Sequence, residues 1–235
     1  MLKSKHTFFC KDINFGILDE TESLHAIRVL RLKAGDLINV INGRGRFVIG
    51  KLTSTQKKEA GFDIVEEPDM DSHPLPLNIA IAPTKNIDRF SFFVEKCVEM
   101  GIREISPILS TNSECTNLRI DKVEKGALSA LKQSGNLYLP KVPEMKSLAE
   151  FLERDFGTAT KLIAHCEDDA DKRKIGDLIE VNKNSVILIG PEGDFTPEEV
   201  NLAKSKGFIP ISLGRSKLRT EKAEIVAYHS VSSMY

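Results

Sequence analysis

At 235 residues, with 41% hydrophobic and 29% charged positions, the chain has the composition of an ordinary globular protein and the length for one large domain or two small ones. It contains no run long enough for a membrane span and no signal-peptide core after Met1-Leu2-Lys3-Ser4-Lys5-His6; its four cysteines (Cys10, Cys97, Cys115, Cys166) form no Cys-x-x-Cys pair. The expectation is a cytoplasmic protein with neither a disulfide framework nor a metal site, and the net charge of −1 argues against nucleic acid in sum, though not in distribution.

The first 70 or so residues read as β-rich. Leu37 to Ile41 is followed by Asn42-Gly43-Arg44-Gly45 and then Arg46 to Leu52, and Asn-Gly between two apolar runs is a strong hairpin signal. Gly61 to Val65 adds another strand, so a small barrel is expected. Asp71-Ser72-His73-Pro74-Leu75-Pro76 reads as a stiff linker, because alternating prolines forbid helix and disfavour sheet. The expected division is therefore 1–72 and 73–235.

Strands and helices alternate beyond the linker. Leu77 to Ala82 is a strand, and Asp88 is expected to cap a helix with the apolar stripe Phe90, Phe93, Val94 and Cys97, stopped by Gly101. Ile102 to Leu109 is the next strand, and a helix carrying Val123, Ala127, Ala130 and Leu131 follows. Ser147 to Glu150 makes a capping box, Lys161 to His165 a strand, and Thr196-Pro197-Glu198-Glu199 a second capping box with Pro at the first helical position. A last helix runs from about Thr220 through Val226 to Ser230. This is an α/β pattern with a mainly parallel sheet.

Charge is uneven along the chain. Between Ser23 and Lys58 stand Arg28, Arg31, Lys33, Arg44, Arg46, Lys51, Lys57 and Lys58 against the single acid Asp36, whereas Glu59 to Ser72 holds six acids and no Lys or Arg. Such a local field steers polyanions whatever the total charge; the plainer alternative is a solvated sheet face.

Two glycine turns near the end of the chain carry the most chemistry. Ser185 to Ile189 runs into Gly190-Pro191-Glu192-Gly193, and Phe208 to Leu213 runs into Gly214, with Leu218-Arg219-Thr220-Glu221 shortly after. Apolar strands ending at Gly before a helix place a ligand crevice beyond the strand C-termini, and Gly lets backbone approach a ligand closely. Phosphate-loop and dinucleotide fingerprints are missing, as are a nucleophile elbow and a His pair with metal spacing. A backbone site of this kind suits a ligand of modest negative charge, such as S-adenosylmethionine.

The segments GPEGDFTPEEV and SLGRSKLRTEKAEIVA resemble the RsmE family of ribosomal RNA uridine methyltransferases in the SPOUT superfamily. Similar likenesses run through His25-Ala26-Ile27-Arg28-Val29-Leu30-Arg31, Lys33 to Asp36, Glu95 to Ile102, Gln133-Ser134 and Pro140, so the resemblance covers most of the chain. It implies a PUA-like β-barrel at the N-terminus and a SPOUT-type parallel sheet with a C-terminal trefoil knot. It also implies a homodimer and S-adenosyl-L-methionine-dependent methylation of N3 of a uridine in small-subunit (16S) ribosomal RNA, on naked rRNA or the assembled subunit.

In that frame Ala164, His165, Ile189, Gly190, Glu192, Gly193, Leu213, Gly214 and Leu218 are the expected cofactor residues. His25, Arg28, Arg31, Lys33, Arg44, Arg46, Lys85 and Gln133 are assigned to RNA. Uridine N3 is a weak imide acid, so an enzyme must remove its proton or stabilise its anion. Arg219 is the expected donor to the anion, and Glu221 orients Arg219, caps the last helix or accepts the proton, the first two roles being favoured at a helix N-terminus. Taken singly, Gly190-Pro191 reads more readily as a simple turn and His165 as a structural histidine; the two glycine motifs together reverse that preference. The chain departs from the family's usual residues at Asn112 (commonly Arg), Asp194 (frequently Gly), Arg215-Ser216-Lys217 and Lys222. Alternatives at this level are a SPOUT enzyme acting on tRNA, or an RNA-binding assembly factor without catalysis.

Overall fold

A computed structural model of the chain describes residues 4–56, 58–70, 73–166, 171–181 and 183–213, with 226, 229 and 230 beyond them. The chain divides into two units: Met1–His73 with Leu128–Leu139, and Pro74–Ala127 with Pro140–Tyr235.

The first unit is built on a mixed sheet. Its elements are β1 (Thr7–Phe9), β2 (Ile17–Leu18), α1 (Glu20–Leu24), β3 (Leu37–Ile41), β4 (Phe47–Gln56) and β5 (Glu59–Glu66). The strand order is β1-β3-β4-β5-β2, with β1 parallel to β3 and the other pairs antiparallel. The expected hairpin is present: Ile41 faces Phe47, and the Asn42 side chain accepts from Arg44 N at 2.8 Å and Arg46 N at 3.1 Å. Alternating apolar positions send Phe8, Ile38, Val40, Val48, Leu52 and Phe62 into one core. Asp19 caps α1 by accepting from Glu22 N, so the chain turns back over that core.

Residues Leu128–Leu139 complete this unit. Gly45 N donates to Leu137 O and Leu139 N to Gly43 O, extending the hairpin tip by a short bridge at Tyr138. Glu22, only 4% exposed, accepts from Lys132 Nζ at 2.6 Å and from Phe9 N at 3.3 Å. The buried carboxylate thus has both a cation and an amide as partners.

The second unit carries β6 (Leu75–Ile81), α2 (Ile87–Glu99), β7 (Ile102–Leu109), α3 (Ile120–Ser134, whose second half groups with the first unit), β8 (Lys146–Ser147) and α4 (Leu148–Leu152). After these come β9 (Thr160–Ala164), β10 (Arg173–Lys174), β11 (Ser185–Ile189), α5 (Pro197–Ser205) and β12 (Ile209–Ser212). The sheet order is β10-β12-β9-β11-β6-β7-β8 and every pair is parallel. Every residue of β11 is buried, as a strand covered on both faces requires. Both capping boxes form, on α4 through Ser147 and Glu150 and on α5 through Thr196 and Glu199.

Two boundaries differ from the sequence reading. The cap of α2 is Asn86, whose Oδ1 accepts from Asp88 N at 2.9 Å, and Asp88 lies in the first turn. The expected linker ends sooner: Leu75 already donates to Gly101 O, and Pro76 lies inside β6 where the ladder to β7 shifts register. Proline has no N–H to give, so it is tolerated at such an irregularity.

A buried polar cluster crosses β6 and β7. Glu104, 7% exposed, accepts from Asn78 Nδ2 (3.0 Å), Ser106 Oγ (2.8 Å) and both terminal nitrogens of Arg154. Burial alone would raise the Glu104 carboxyl pKa; the hydrogen bonds from Arg154 and Ser106 outweigh it and hold the group below its ordinary value.

The end of the chain is described at three residues of the expected last helix; Val226, His229 and Ser230 are helical, with Ser230 Oγ donating to Val226 O at 2.7 Å. Gly214, Arg215, Ser216, Lys217, Leu218, Arg219, Glu221 and Lys222, and with them the path that would form a knot, lie outside the described residues.

Candidate functional site

Three strand ends that are far apart in sequence become neighbours in the parallel sheet. Ala164, the last residue of β9, is opposite Ile189 of β11 on one side and Ile211 of β12 on the other. The residues that follow these three strands, His165, Gly190 and Leu213, therefore lie beyond one common edge, where open parallel sheets hold their ligands. Ile189 and His165 are buried, Ala164 and Leu213 half-buried.

Hydrogen bonds to the segments after β6, β7 and β9 lock the turn that follows β11. Glu192 accepts from Lys85 N, beyond β6, at 3.1 Å. From beyond β7, Asn112 Nδ2 donates to Gly193 O (3.2 Å) and Asp194 O (3.0 Å). Glu199 caps α5 and also accepts from Thr111 N (2.8 Å) and Thr111 Oγ1 (3.0 Å). Asp194 accepts from Phe195 N (2.9 Å) and from Cys166 N, beyond β9, at 2.6 Å. Its backbone is left-handed, with φ of 64°. That conformation costs a residue with a Cβ about 1 kcal/mol, and Asp is among the side chains that tolerate it.

The glycines serve this turn in a way the sequence did not reveal. A Cβ on Gly190 would come within 3.1 Å of the Phe195 ring and 3.2 Å of its backbone N; one on Gly193 would lie 2.9 Å from Asn112 Cβ. The bare faces of Gly190 and Gly193 are thus filled by the turn's own packing, and beside them the strand ends offer main-chain groups with the apolar Ile189 buried and Leu213 half-buried. Uncharged amides and carbonyls with apolar walls fit S-adenosylmethionine, a nucleoside ligand without phosphate. Among the described residues no group of three or more His, Cys, Asp or Glu could hold a metal ion.

The residues expected at RNA are distributed over both units. After α1 the helix widens into a π-turn over His25–Val29, with Leu30 N donating to His25 O (3.0 Å) and Leu32 N to Ala26 O (3.0 Å). The His25 ring packs at 6.0 Å from Phe8. Arg28, Arg31 and Lys33 are exposed on and just after this turn, with Arg31 at φ 55° and Val29 67% exposed between the arginines. Arg44 is exposed at the hairpin tip, and Gln133 is exposed on the half of α3 that belongs to the same unit. Arg46 is held by Glu67 through two hydrogen bonds (2.8 and 3.0 Å) and by Asn14 (2.7 Å), so its charge is already matched. The Glu67 hydrogen bond raises the Arg46 pKa and the Arg46 bond lowers that of Glu67. Lys85 belongs to the second unit and pairs with Glu114 at 2.7 Å.

Thr111, Asn112, Asp194 and the second role of Glu199 are the site residues that pattern reading missed. Glu199 was visible as part of a capping box and Asp194 as a residue in a glycine's place, but partners 88 and 28 positions away leave no local trace.

Comparisons with known proteins relate the chain to RNA methyltransferases. Residues 71–232 match the model of an RNA methyltransferase domain, and residues 18–65 that of an RNA methyltransferase PUA domain. The chain is 27% identical to the ribosomal RNA small subunit methyltransferase E of Buchnera aphidicola, over 95% of this chain and 90% of the relative. Its structure is similar to that of a probable rRNA-methyltransferase from Porphyromonas gingivalis: 34% identity, TM-score 0.88, 98% and 99% of the two chains covered. The same TM-score of 0.88, at 26% identity over 99% and 98% of the chains, relates it to a ribosomal RNA small subunit methyltransferase E from Neisseria gonorrhoeae bound to S-adenosyl methionine.

Proposed function

The chain belongs to the RsmE family of RNA methyltransferases, and from that premise we propose that it methylates N3 of a uridine in small-subunit ribosomal RNA. The observation that supports the reading is the joining of Ala164, Ile189 and Ile211 at one sheet edge, so that the strands leading into the three turns expected at the cofactor run side by side. S-adenosylmethionine supplies an electrophilic methyl group on a sulfonium. Main-chain groups after β9, β11 and β12 hold its adenine; Ile189, Leu213 and Leu218 enclose the ring, and His165 and Glu192 border the pocket.

Arg219 stabilises the negative charge that spreads over O2 and O4 as the N3 proton leaves, and Glu221 orients Arg219 or caps the last helix. A fixed guanidinium and close placement of N3 against the methyl carbon supply the activation, and the N3 proton passes to solvent water as the N3–C bond forms and the S–C bond breaks. Arg28, Arg31, Lys33 and Arg44 of the PUA-like unit contact RNA phosphates, with His25 shaping their turn. Gln133 and Lys85 add contacts from elsewhere in the chain. The reading further takes residues 1–72 as the core of the RNA-binding domain, 73–235 as a knotted catalytic domain, a homodimer as the working form and the cytoplasm as its location.

The test is mass spectrometry of small-subunit rRNA from a strain lacking the gene, with and without the gene restored. One methyl group on a uridine N3 should disappear and return. A methyl group that instead disappears from tRNA, or rRNA that is unchanged, would refute the reading.

A further inference from the structure

We propose that Asp194 is a positioning residue for the cofactor: its carboxylate ties the turn after β9 to the turn after β11 and so sets the width of the crevice before S-adenosylmethionine enters. The proposal rests on the methyltransferase reading and goes beyond it, since the assigned cofactor contacts lie on either side of this residue and not on it.

Three observations carry it. Asp194 is one of two non-glycine residues among those described that hold a left-handed backbone, in a position where glycine would sit without strain. A side chain retained there must offset that strain, and both oxygens of this one are engaged: Oδ1 with Phe195 N, which closes its own turn, and Oδ2 with Cys166 N, two residues past the end of β9. The bond to Cys166 is an inter-strand brace at the crevice edge. The third observation is the amide of Asn112, which grips the carbonyls of Gly193 and Asp194 from the turn after β7. Three strand ends are thereby joined through one dipeptide.

Geometry gives the brace a particular kinetic signature. The carboxylate points into protein N–H groups, so it does not touch the methyl group or the RNA base. Its contribution is to hold the two walls at the separation the ligand needs, which removes an ordering cost from binding. Losing it should weaken cofactor binding and leave the transfer step, once the cofactor is seated, nearly as fast.

Full-length protein carrying Asp194→Asn, Asp194→Gly or Asn112→Ala is titrated calorimetrically with S-adenosylmethionine alone, and amide exchange at Cys166 is followed in the ligand-free protein. Asp194→Asn keeps the shape but turns one oxygen into a donor facing an N–H; its Kd should rise about tenfold, and that of Asp194→Gly somewhat less. KM for the cofactor should rise in parallel while kcat on small-subunit rRNA falls by no more than about threefold. Exchange at the Cys166 amide should accelerate in both Asp194 variants. Asn112→Ala, which keeps the carboxylate, should weaken binding by a smaller factor and tests the brace if an Asp194 variant fails to fold. Unchanged affinity in the variants, with or without a lower melting temperature, would overturn the proposal, as would a fall in kcat with KM unchanged. Wild-type protein that takes up no S-adenosylmethionine would overturn the methyltransferase reading and this inference with it. Wild-type binding matched by indifferent variants would remove the inference alone.

Discussion

The two units use hydrogen-bonding side chains for opposite ends. At the edge of the seven-stranded sheet, Glu192, Asn112, Asp194 and Glu199 all hold backbone across separate strand ends. On the five-stranded sheet the hairpin is held mainly by its own ladder and by Asn42, and Arg28, Arg31, Lys33 and Arg44 are left facing solvent. A pocket for one small cofactor needs fixed walls, and fixing them consumes the polar side chains around it. A surface that follows a flexible polyanion needs available charge and tolerates mobile side chains. The contrast predicts large, local effects in the second unit and graded, salt-dependent ones in the first.

The largest effect should come from Arg219→Ala. Removing one preorganised donor to a developing oxyanion costs on the order of 3 kcal/mol, or about 100-fold in single-turnover rate. S-adenosylmethionine affinity should change little. Collapse of that affinity with the rate spared would make Arg219 part of the wall and blur the contrast.

Arg154→Ala comes next, because it leaves Glu104 buried beside Asn78 and Ser106 without its cation. Breaking a buried pair costs about 3 kcal/mol or more; Arg154 keeps 46% of its side chain exposed, so water softens the loss to about 2 kcal/mol, measurable by urea unfolding. The same pair gives stability a defined pH dependence. The folded Glu104 pKa lies below its unfolded value, so the stabilisation is complete above that value, near 4.3, and is lost as pH falls through the folded pKa. In Arg154→Ala this acid-side loss should shrink or reverse, which unfolding at stepped pH will show.

The triple variant Arg28→Ala, Arg31→Ala, Arg44→Ala should weaken binding to an rRNA fragment and reduce the log–log salt slope by about one unit for each residue removed, with S-adenosylmethionine binding unchanged. An unchanged slope would make this face ordinary solvated surface. The smallest effect belongs to Arg46→Ala. Its charge is matched by Glu67, so the salt slope should hardly move and stability should change by less than about 1 kcal/mol. A full unit of slope lost there would show that RNA displaces Glu67, and the first unit would be less free of internal pairing than it looks.

Local grammar carried much of the fold. The Asn42-Gly43 hairpin, both capping boxes and the strand from Ile102 to Leu109 follow from turn chemistry and hydrophobic period, which act within a few residues. The α2 cap was misplaced by two positions because Asn86 and Asp88 are equally good capping types, and only backbone geometry chooses. Pro76 was taken for linker because a strand containing proline needs a register shift that depends on its neighbour. At the site, the three strand ends were legible because each stops in glycine or a polar break. What the glycines face was not: Phe195 and Asn112 reach Gly190 and Gly193 only once the turn has closed. The matching of Arg46 by Glu67 was hidden by a separation of 21 positions and by an acidic block that looked like a separate field.

The grouping of Leu128–Leu139 with the N-terminal sheet also bears on the order of events during synthesis. A ribosome that has released residues up to 73 has delivered every strand of that sheet but neither Lys132 for Glu22 nor the backbone partners of Gly43 and Gly45. Until about 66 further residues emerge, the nascent unit carries an uncompensated inward carboxylate and an unfinished hairpin tip. A gene fragment cut at the apparent linker would stop at that stage. An excised RNA-binding unit meant to fold by itself therefore has to carry the second half of α3, joined by a graft or supplied as a separate peptide.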